Sequence, residues 1–320
     1  MDCAERDRRW PEPPPWRTFA GEGDLPTPPE DEAEARRRLG AVSVHRTVDP
    51  MTVSVVNAGI YLCRPLIVTG RPGSGKSALA YLIARELGLG RVLRWPVTSR
   101  STLRSGLYQY DAFSHAQAIG SGGDADLGNY IHLGPLGTAF LPHRLPRVLL
   151  IDEMDKSDID LPHDLLSIFE DGEYSIHELI RIRDRQQQVV VHTDDPGGRA
   201  PVRNGIVRCH AFPVVIIASN GEREFPPAFL RRCLTLTMGE PDADRLAEIV
   251  AAHFDHAADD VVDELIRLFT EARGGRELAT DQLLNAIRLA TSGVFDGLAN
   301  EQRDELLNAI WHRLAAGEPA

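Results

Sequence analysis

Cysteine is scarce in this chain of 320 residues, and the four present (Cys3, Cys63, Cys209 and Cys233) never form a C-x-x-C pair. That argues against a zinc ribbon and a disulfide framework, so the expected compartment is a reducing cytoplasm. Cys63 and Cys233 lie beside expected strands and read as small apolar packing residues. Positive charge is short as well. The net charge of −12 argues against a general nucleic-acid coat protein, while a locally basic channel stays open. Long apolar runs are missing, since none approaches the ~20 residues that span a bilayer. The polar, Arg- and Pro-rich start carries no secretory-signal pattern. No internal repeat is present. What is left is ordinary for a soluble chain, with 42% hydrophobic and 26% charged residues and length for about two domains.

The most informative stretch is Gly70-Arg71-Pro72-Gly73-Ser74-Gly75-Lys76-Ser77, which fits G-x-x-x-x-G-K-[ST] at every specified position. Pro65–Thr69 before it is apolar and β-branched, the pattern of a buried strand. From Ala78 onward the chain reads as a helix with one apolar face. Strand, glycine loop and helix start make a site for a nucleoside triphosphate. Loop N–H groups turn onto phosphate oxygens, the helix N-terminus adds partial positive charge, and Lys76 reaches the β/γ-phosphates. The Ser77 hydroxyl would ligate Mg²⁺. Gly70, Pro72, Gly73, Ser74, Gly75, Lys76, Ser77 and Ala78 are the expected binding residues.

Three further signals follow in order. Val148-Leu149-Leu150-Ile151 ends in Asp152-Glu153, placing two carboxylates at the C-terminal end of a buried strand, where open parallel sheets bind ligands. Asp152 would hold the Mg²⁺ shell, and Glu153 would act as general base on the attacking water. Val214–Ser219 is a second apolar strand, ending in Asn220. If that strand lies between the other two, the Asn220 amide faces the γ-phosphate and orients the water. A short helix from Pro227 ends in Arg231-Arg232 just before an apolar strand. An exposed arginine there can reach the γ-phosphate on a neighbouring subunit. Surface ion pairing is the alternative for both arginines.

Around these motifs the chain divides in three. Residues 1–40 are a Pro/Arg-rich tail with a short charged helix over Pro29–Leu39. Its Trp10-to-Trp16 segment favours extended backbone, and a free tail and a docking arm stay equally open. Residues 41–240 form an α/β domain whose helix N-capped by Asp49 runs through Leu62. Its strands fall at Pro65–Thr69, Val92–Val97, Val148–Asp152, Pro213–Ser219 and Cys233–Thr237. That alternation predicts a parallel sheet with helices on both faces. The Leu179–Arg183 and Gln188–His192 segments suggest an inserted hairpin, and 194–198 a turn or mobile loop. Residues 241–320 read as a small helical domain, with helices over Asp242–Phe254, Asp259–Ala272, Thr280–Ala290 and Asn300–Leu314.

The four motifs in this order resemble an AAA+ ATPase, and within that group the chain is similar to the MoxR family. The match runs from about Asp49 into the helical region. Beyond the generic motifs it rests on Asp152-Glu153-Met154-Asp155-Lys156, Leu161-Pro162-His163-Asp164-Leu165-Leu166 and Ala218-Ser219-Asn220-Gly221-Glu222-Arg223-Glu224-Phe225-Pro226. Tyr108-Gln109-Tyr110-Asp111-Ala112 and Gly134–Phe140 resemble the family's segments flanking an insertion. The resemblance implies a P-loop sheet ordered 5-1-4-3-2, a small all-α lid, ATP and Mg²⁺ as ligands, and a homo-oligomeric ring, expected to be a hexamer. It also implies chaperone-like remodelling of a protein partner, often one with a von Willebrand factor A domain. By position Arg232 matches the family's trans arginine best, with Arg231 as the alternate. One departure concerns the third lid helix, where the family often carries a nucleotide-contacting arginine. No arginine stands near Asp281, and neither Arg276 nor Arg288 clearly replaces it.

Lesser features weigh less. His253 and His256 lack a third metal ligand and read as a solvated helix end. Ser114–Leu133 contains a glycine-rich loop, either a pore-facing contact or a plain surface loop. Arg181, Arg183 and Arg185 read as a solvated face. The rival functions are a slow-turnover nucleotide switch scaffolding a signalling or defence complex, a DNA-processing motor, and, weakest, a small-molecule kinase. Nucleic acid and membrane are not expected partners.

Overall fold

A computed structural model describes residues 6, 10–23, 25–41, 48–122, 126–254, 260–273, 278–295 and 298–311. In chain order its strands are β1 (Leu66–Thr69), β2 (Leu93–Pro96), β3 (Tyr108–Tyr110), β4 (Ile131–Leu133), β5 (Val148–Asp152), β6 (Glu173–Ser175), β7 (Gln188–His192), β8 (Arg199–Arg203), β9 (Ile206–Arg208), β10 (Val214–Ser219) and β11 (Leu234–Thr237). The five apolar runs anticipated from sequence pair, all parallel, in the order β11-β1-β10-β5-β2. The chain is therefore α/β, built on an all-parallel sheet.

Apolar side chains at consecutive positions let the central strands β1, β5 and β10 bury both faces, while the edge strands β2 and β11 alternate. Leu66, Val68, Leu150 and Ile216 join a core with Leu79, Ala80, Ile83 and Ala84 of the Lys76–Leu87 helix and Val56 of the Pro50–Leu62 helix. Their neighbours Ile67, Leu149, Ile151, Val215 and Ile217 point the other way. They pack with Leu165 and Phe169 of the Leu161–Asp171 helix and with Phe229.

A second, six-stranded sheet, β3-β4-β7-β8-β9-β6, lies on that latter side. Here the pattern alternates: Val189 and Val191 are buried and Val190 is exposed. The inserted hairpin exists but pairs differently from expectation. β7 pairs antiparallel with β8, not with Leu179–Arg183. Ile176, Leu179 and Ile182 recur every third residue, a spacing that suits a helical turn. His177–Ile180 is helical, and the following residues form turns. Residues 193–198 are the β7–β8 turn, closed by hydrogen bonds between Thr193 and Gly198 and between Gly198 and Asp195.

The Ser114–Leu133 segment is more regular than a loop among its described residues. Asp111 accepts from the Ser114 N–H and starts a helix over Ala112–Ser121, and Gly122 ends it in the left-handed conformation. Cβ-free Gly adopts that conformation freely.

Residues 10–23 and 25–30 settle the choice between tail and arm. Arg17 is buried, donates to the carbonyls of Cys63 and Phe169, and lies over the rings of Phe19 and Phe212. Gly21 donates to Cys209, Leu25 bridges to His143, and Arg91 donates to Pro29. The arm is docked along the body. The short helix beyond it covers Glu32–Leu39, N-capped by Asp31.

After β11, helices over Ala243–His253, Asp260–Arg273, Thr280–Thr291 and Asn300–Ile310 share a third core around Leu246, Phe269, Leu283 and Trp311. The expected extension to Leu314, and the residues Cys3, His256 and Arg276, lie outside the described residues. No described helix is long and apolar enough to cross a membrane.

Candidate functional site

The parallel order puts β10 between β1 and β5, so the loops following all three converge at one end of the sheet. They open onto a cleft of about 460 Å³. Its walls include Pro72, Gly73, Gly75, Lys76, Ser77, Ala78, Asp152, Glu153 and Asn220. Gly70 and Ser74 complete the same loop; Ser74 is buried, and its hydroxyl lacks a protein partner.

Two glycines are forced by geometry. Gly73 has φ +77°, and a Cβ there would lie 2.5 Å from the Thr280 nitrogen. Gly75 has φ +91° and stands at the N-cap of the Lys76–Leu87 helix. A side-chain-bearing residue is strained in either conformation. The Lys76 ammonium donates to the Gly70 carbonyl at 2.7 Å and the Arg71 carbonyl at 2.9 Å. Burial pushes its pKa below the usual lysine value, against the pull of Asp155 and Asp152.

Opposite the loop, Asp152 closes β5, and its Oδ1 accepts from the Ser77 hydroxyl at 2.9 Å. Asp152 Oδ2 accepts from Arg94 Nη2 at 2.8 Å and Nε at 3.2 Å. Glu153 has φ +60°, ψ +42°, a left-handed conformation costing a non-glycine residue about 1 kcal/mol. Its carboxylate is half exposed and pairs with Lys156 Nζ at 2.9 Å. Asp155 Oδ2 accepts from the Asn220 and Glu222 N–H groups at 3.0 and 3.1 Å, while buried Oδ1 has no protein partner. Asp155 thus clips the loop after β5 to the loop after β10 and fixes where Asn220 emerges.

Arg231 and Arg232 do not line this cleft. They precede β11, whose start pairs with Leu66 and whose end pairs with Thr69. They therefore sit at the sheet's opposite end, on the order of 10 Å or more away along the strand. Arg231 is exposed. Arg232 is partly exposed, with Nε 3.4 Å from Glu170.

Sequence reasoning missed several cleft residues. Thr280 donates its hydroxyl to the Gly73 carbonyl at 2.7 Å, tying the C-terminal helices to the glycine loop. Arg37, Arg38, Ile249 and Leu284 line the far wall; His253 and Asp281, weighed from sequence for other roles, line it too. No local motif marks these residues, because only the tertiary fold brings them together. Arg94 did leave a trace: it is the one charged residue in the run Val92–Val97.

Other candidates recede. Cys209 and Cys233 are buried, and burial raises their thiol pKa values, that of Cys233 to about 12. That holds them protonated and unreactive. Among the described residues no group of three or more His, Cys, Asp or Glu could hold a metal. Arg181, Arg183 and Arg185 are exposed on turns.

Neither a protein-family model nor a curated protein matches this chain.

Proposed function

We propose that this chain is an Mg²⁺-dependent ATPase of the AAA+ class, MoxR-like, which couples hydrolysis to remodelling or activating a protein partner. The observation that carries the reading is the meeting of the Ser77 hydroxyl and the Asp152 carboxylate at 2.9 Å, beside Lys76 and Asn220, in one cleft. Counting only the parallel strands, the order β11-β1-β10-β5-β2 reads 5-1-4-3-2. That order supports the P-loop assignment, and the Thr280–Gly73 bond supports reading the C-terminal helices as a lid.

The donor set suits magnesium. Ser77 and Asp152 offer hard oxygens close together, the chemistry that cation selects. Bound there with nucleotide, Mg²⁺ would neutralise charge on the transferring phosphoryl group. The chain's own residues do the rest. Lys76 and the loop N–H groups hold the phosphates, and closure of the Thr280 helix excludes water. Asn220 orients the attacking water, and Glu153 takes its proton once released from Lys156. Arg232, partly exposed at the far end of the sheet, or the exposed Arg231 beside it, reaches the cleft of a second copy. A homo-oligomeric ring with ATP at subunit boundaries follows, and a hexamer fits that class. A von Willebrand factor A domain protein is a partner consistent with the resemblance, in a cytoplasmic setting.

The Glu153–Lys156 pair favours one second reading, a slow nucleotide switch in which the base is parked. Two measurements separate the readings. Glu153→Gln should retain ATP affinity by calorimetry and lose turnover by about 10²-fold or more. Wild-type turnover per subunit should fall on dilution if Arg232 acts from a neighbour. Turnover retained in Glu153→Gln removes Glu153 as base, and a dilution-independent rate in a monomer removes the trans arginine.

A further inference from the structure

Asp152 is 8% exposed and ends a strand buried on both faces. A carboxylate there needs a compensating charge. Arg94 supplies it through two hydrogen bonds, at 2.8 and 3.2 Å, onto the same oxygen, Oδ2. The other oxygen holds the Ser77 hydroxyl. Both oxygens that face a cation are thus engaged by the chain itself.

Arg94 also stands at an open edge. Its side chain is 41% exposed, and it belongs to β2, an edge strand of the parallel sheet. Beside it opens a cavity of about 200 Å³ whose lining includes Glu30, Asp31, Glu34, Tyr81, Arg94 itself and one other cation, Arg91, which is engaged by Asp194. Glu34 already pairs with Arg37 and Arg38, and Glu30 pairs with Arg85. Asp31 caps the Glu32–Leu39 helix by accepting the Glu34 N–H. This cavity, with three carboxylates in its lining, is the space open to a guanidinium that leaves Asp152.

We infer that Arg94 is a displaceable internal cation that guards Asp152 against free divalent metal, so that the site accepts metal only together with nucleotide. The inference rests on the reading of Asp152 and Ser77 as metal ligands. A positive charge resting beside a metal position repels a divalent ion, and the nucleotide phosphates offset that repulsion when they arrive together. Arg94 is here a positioning residue: it acts on Asp152 and touches no reacting atom.

The test uses Mn²⁺ as probe on the full chain, with bound metal read by electron paramagnetic resonance. Without nucleotide, wild type should bind Mn²⁺ weakly at this site, and Arg94→Gln should bind it about tenfold or more tightly. Arg94→Lys keeps the charge without the two-pronged grip and should fall between them; it also serves if Arg94→Gln folds poorly. The double variant Arg94→Gln/Asp152→Asn should lose the gain. With ADP present, the difference between wild type and Arg94→Gln should shrink. Equal nucleotide-free affinity in wild type and both single Arg94 variants overturns the guard. A gain that survives in the double variant overturns the Asp152 metal reading instead, so the two failures are distinguishable.

Discussion

β5 carries a charged cluster at each end, and the two are built by opposite rules. At its start Arg147 is fully buried and grips Asp195 through two hydrogen bonds of 2.8 Å, with a third to the Arg91 carbonyl. Arg91 in turn pairs with Asp194 at 2.9 Å, and His143 bonds to the Pro26 carbonyl at 2.9 Å. Of the Arg147 nitrogens only Nε lacks a partner. This clasp ties the β7–β8 turn and the N-terminal arm to the parallel sheet. At the far end the rules relax. Glu153 is strained and half exposed, Asp155 has an orphaned buried oxygen, and Asp152 is held by an arginine whose side chain is partly open to solvent. Charges that only hold the fold are locked in place. Charges expected to exchange partners for nucleotide, metal and water are left strained or partly exposed.

The comparison is most directly broken at Asp195. Asp195→Ala would leave Arg147 buried without its carboxylate, and losing one partner of a buried pair costs about 3–5 kcal/mol. Urea unfolding should show that loss. A cost near zero would mean that the clasp is ornamental and that the two ends of β5 do not differ in kind.

Acid should open the clasp next. Burial, with Arg147 second, holds His143 down at about 4, whereas the unfolded chain takes up that proton near ~6.5. Between those values the unfolded state binds more protons, so stability falls as pH falls through the window. By pH 4 the loss reaches roughly 3 kcal/mol. His143→Gln should flatten the slope of stability against pH between about 6.5 and 4. An unchanged slope would place the acid sensitivity elsewhere.

Legibility in the sequence divides along the same line. The parallel strands were readable to within a residue because the three central ones, β1, β5 and β10, are short apolar runs buried almost throughout, the edge strands β2 and β11 alternate buried and exposed, and the loop motifs at the strand ends have fixed spacing. Arg147, Asp195 and His143 left no such signal. Each looks like an ordinary surface residue until β7, β8 and the arm fold against the start of β5. The second sheet was half legible: β7 showed its valines, but β3, β4, β6 and β9 span only three residues each, too short for a period to register. Thr280 and the arginines of the far cleft wall could not be read at all, because their roles come from contacts across long stretches of chain.

The finest test concerns backbone alone. The chain needs left-handed residues at two comparable corners, Asn204 with φ +52° and Glu153 with φ +60°. Asn204-Gly205 makes the two-residue turn joining β8 to β9, a turn for which Asn-Gly is the favoured pair. Glu153 fills the same conformation with a residue that resists it. Glycine should therefore be more stable than alanine at both positions, by about 1 kcal/mol each. The native residue should rank differently. Asn204 should lie near its glycine variant, and Glu153 near its alanine variant, after about 0.5 kcal/mol is allowed for the exposed pair with Lys156. Thermal unfolding of the four variants measures this directly. Glu153→Gly should then match or exceed wild type in stability while losing turnover, the signature of strain kept for chemistry. If Glu153 ranks with glycine instead, that corner stores no strain, and the contrast between the two ends of β5 rests on side-chain pairing alone.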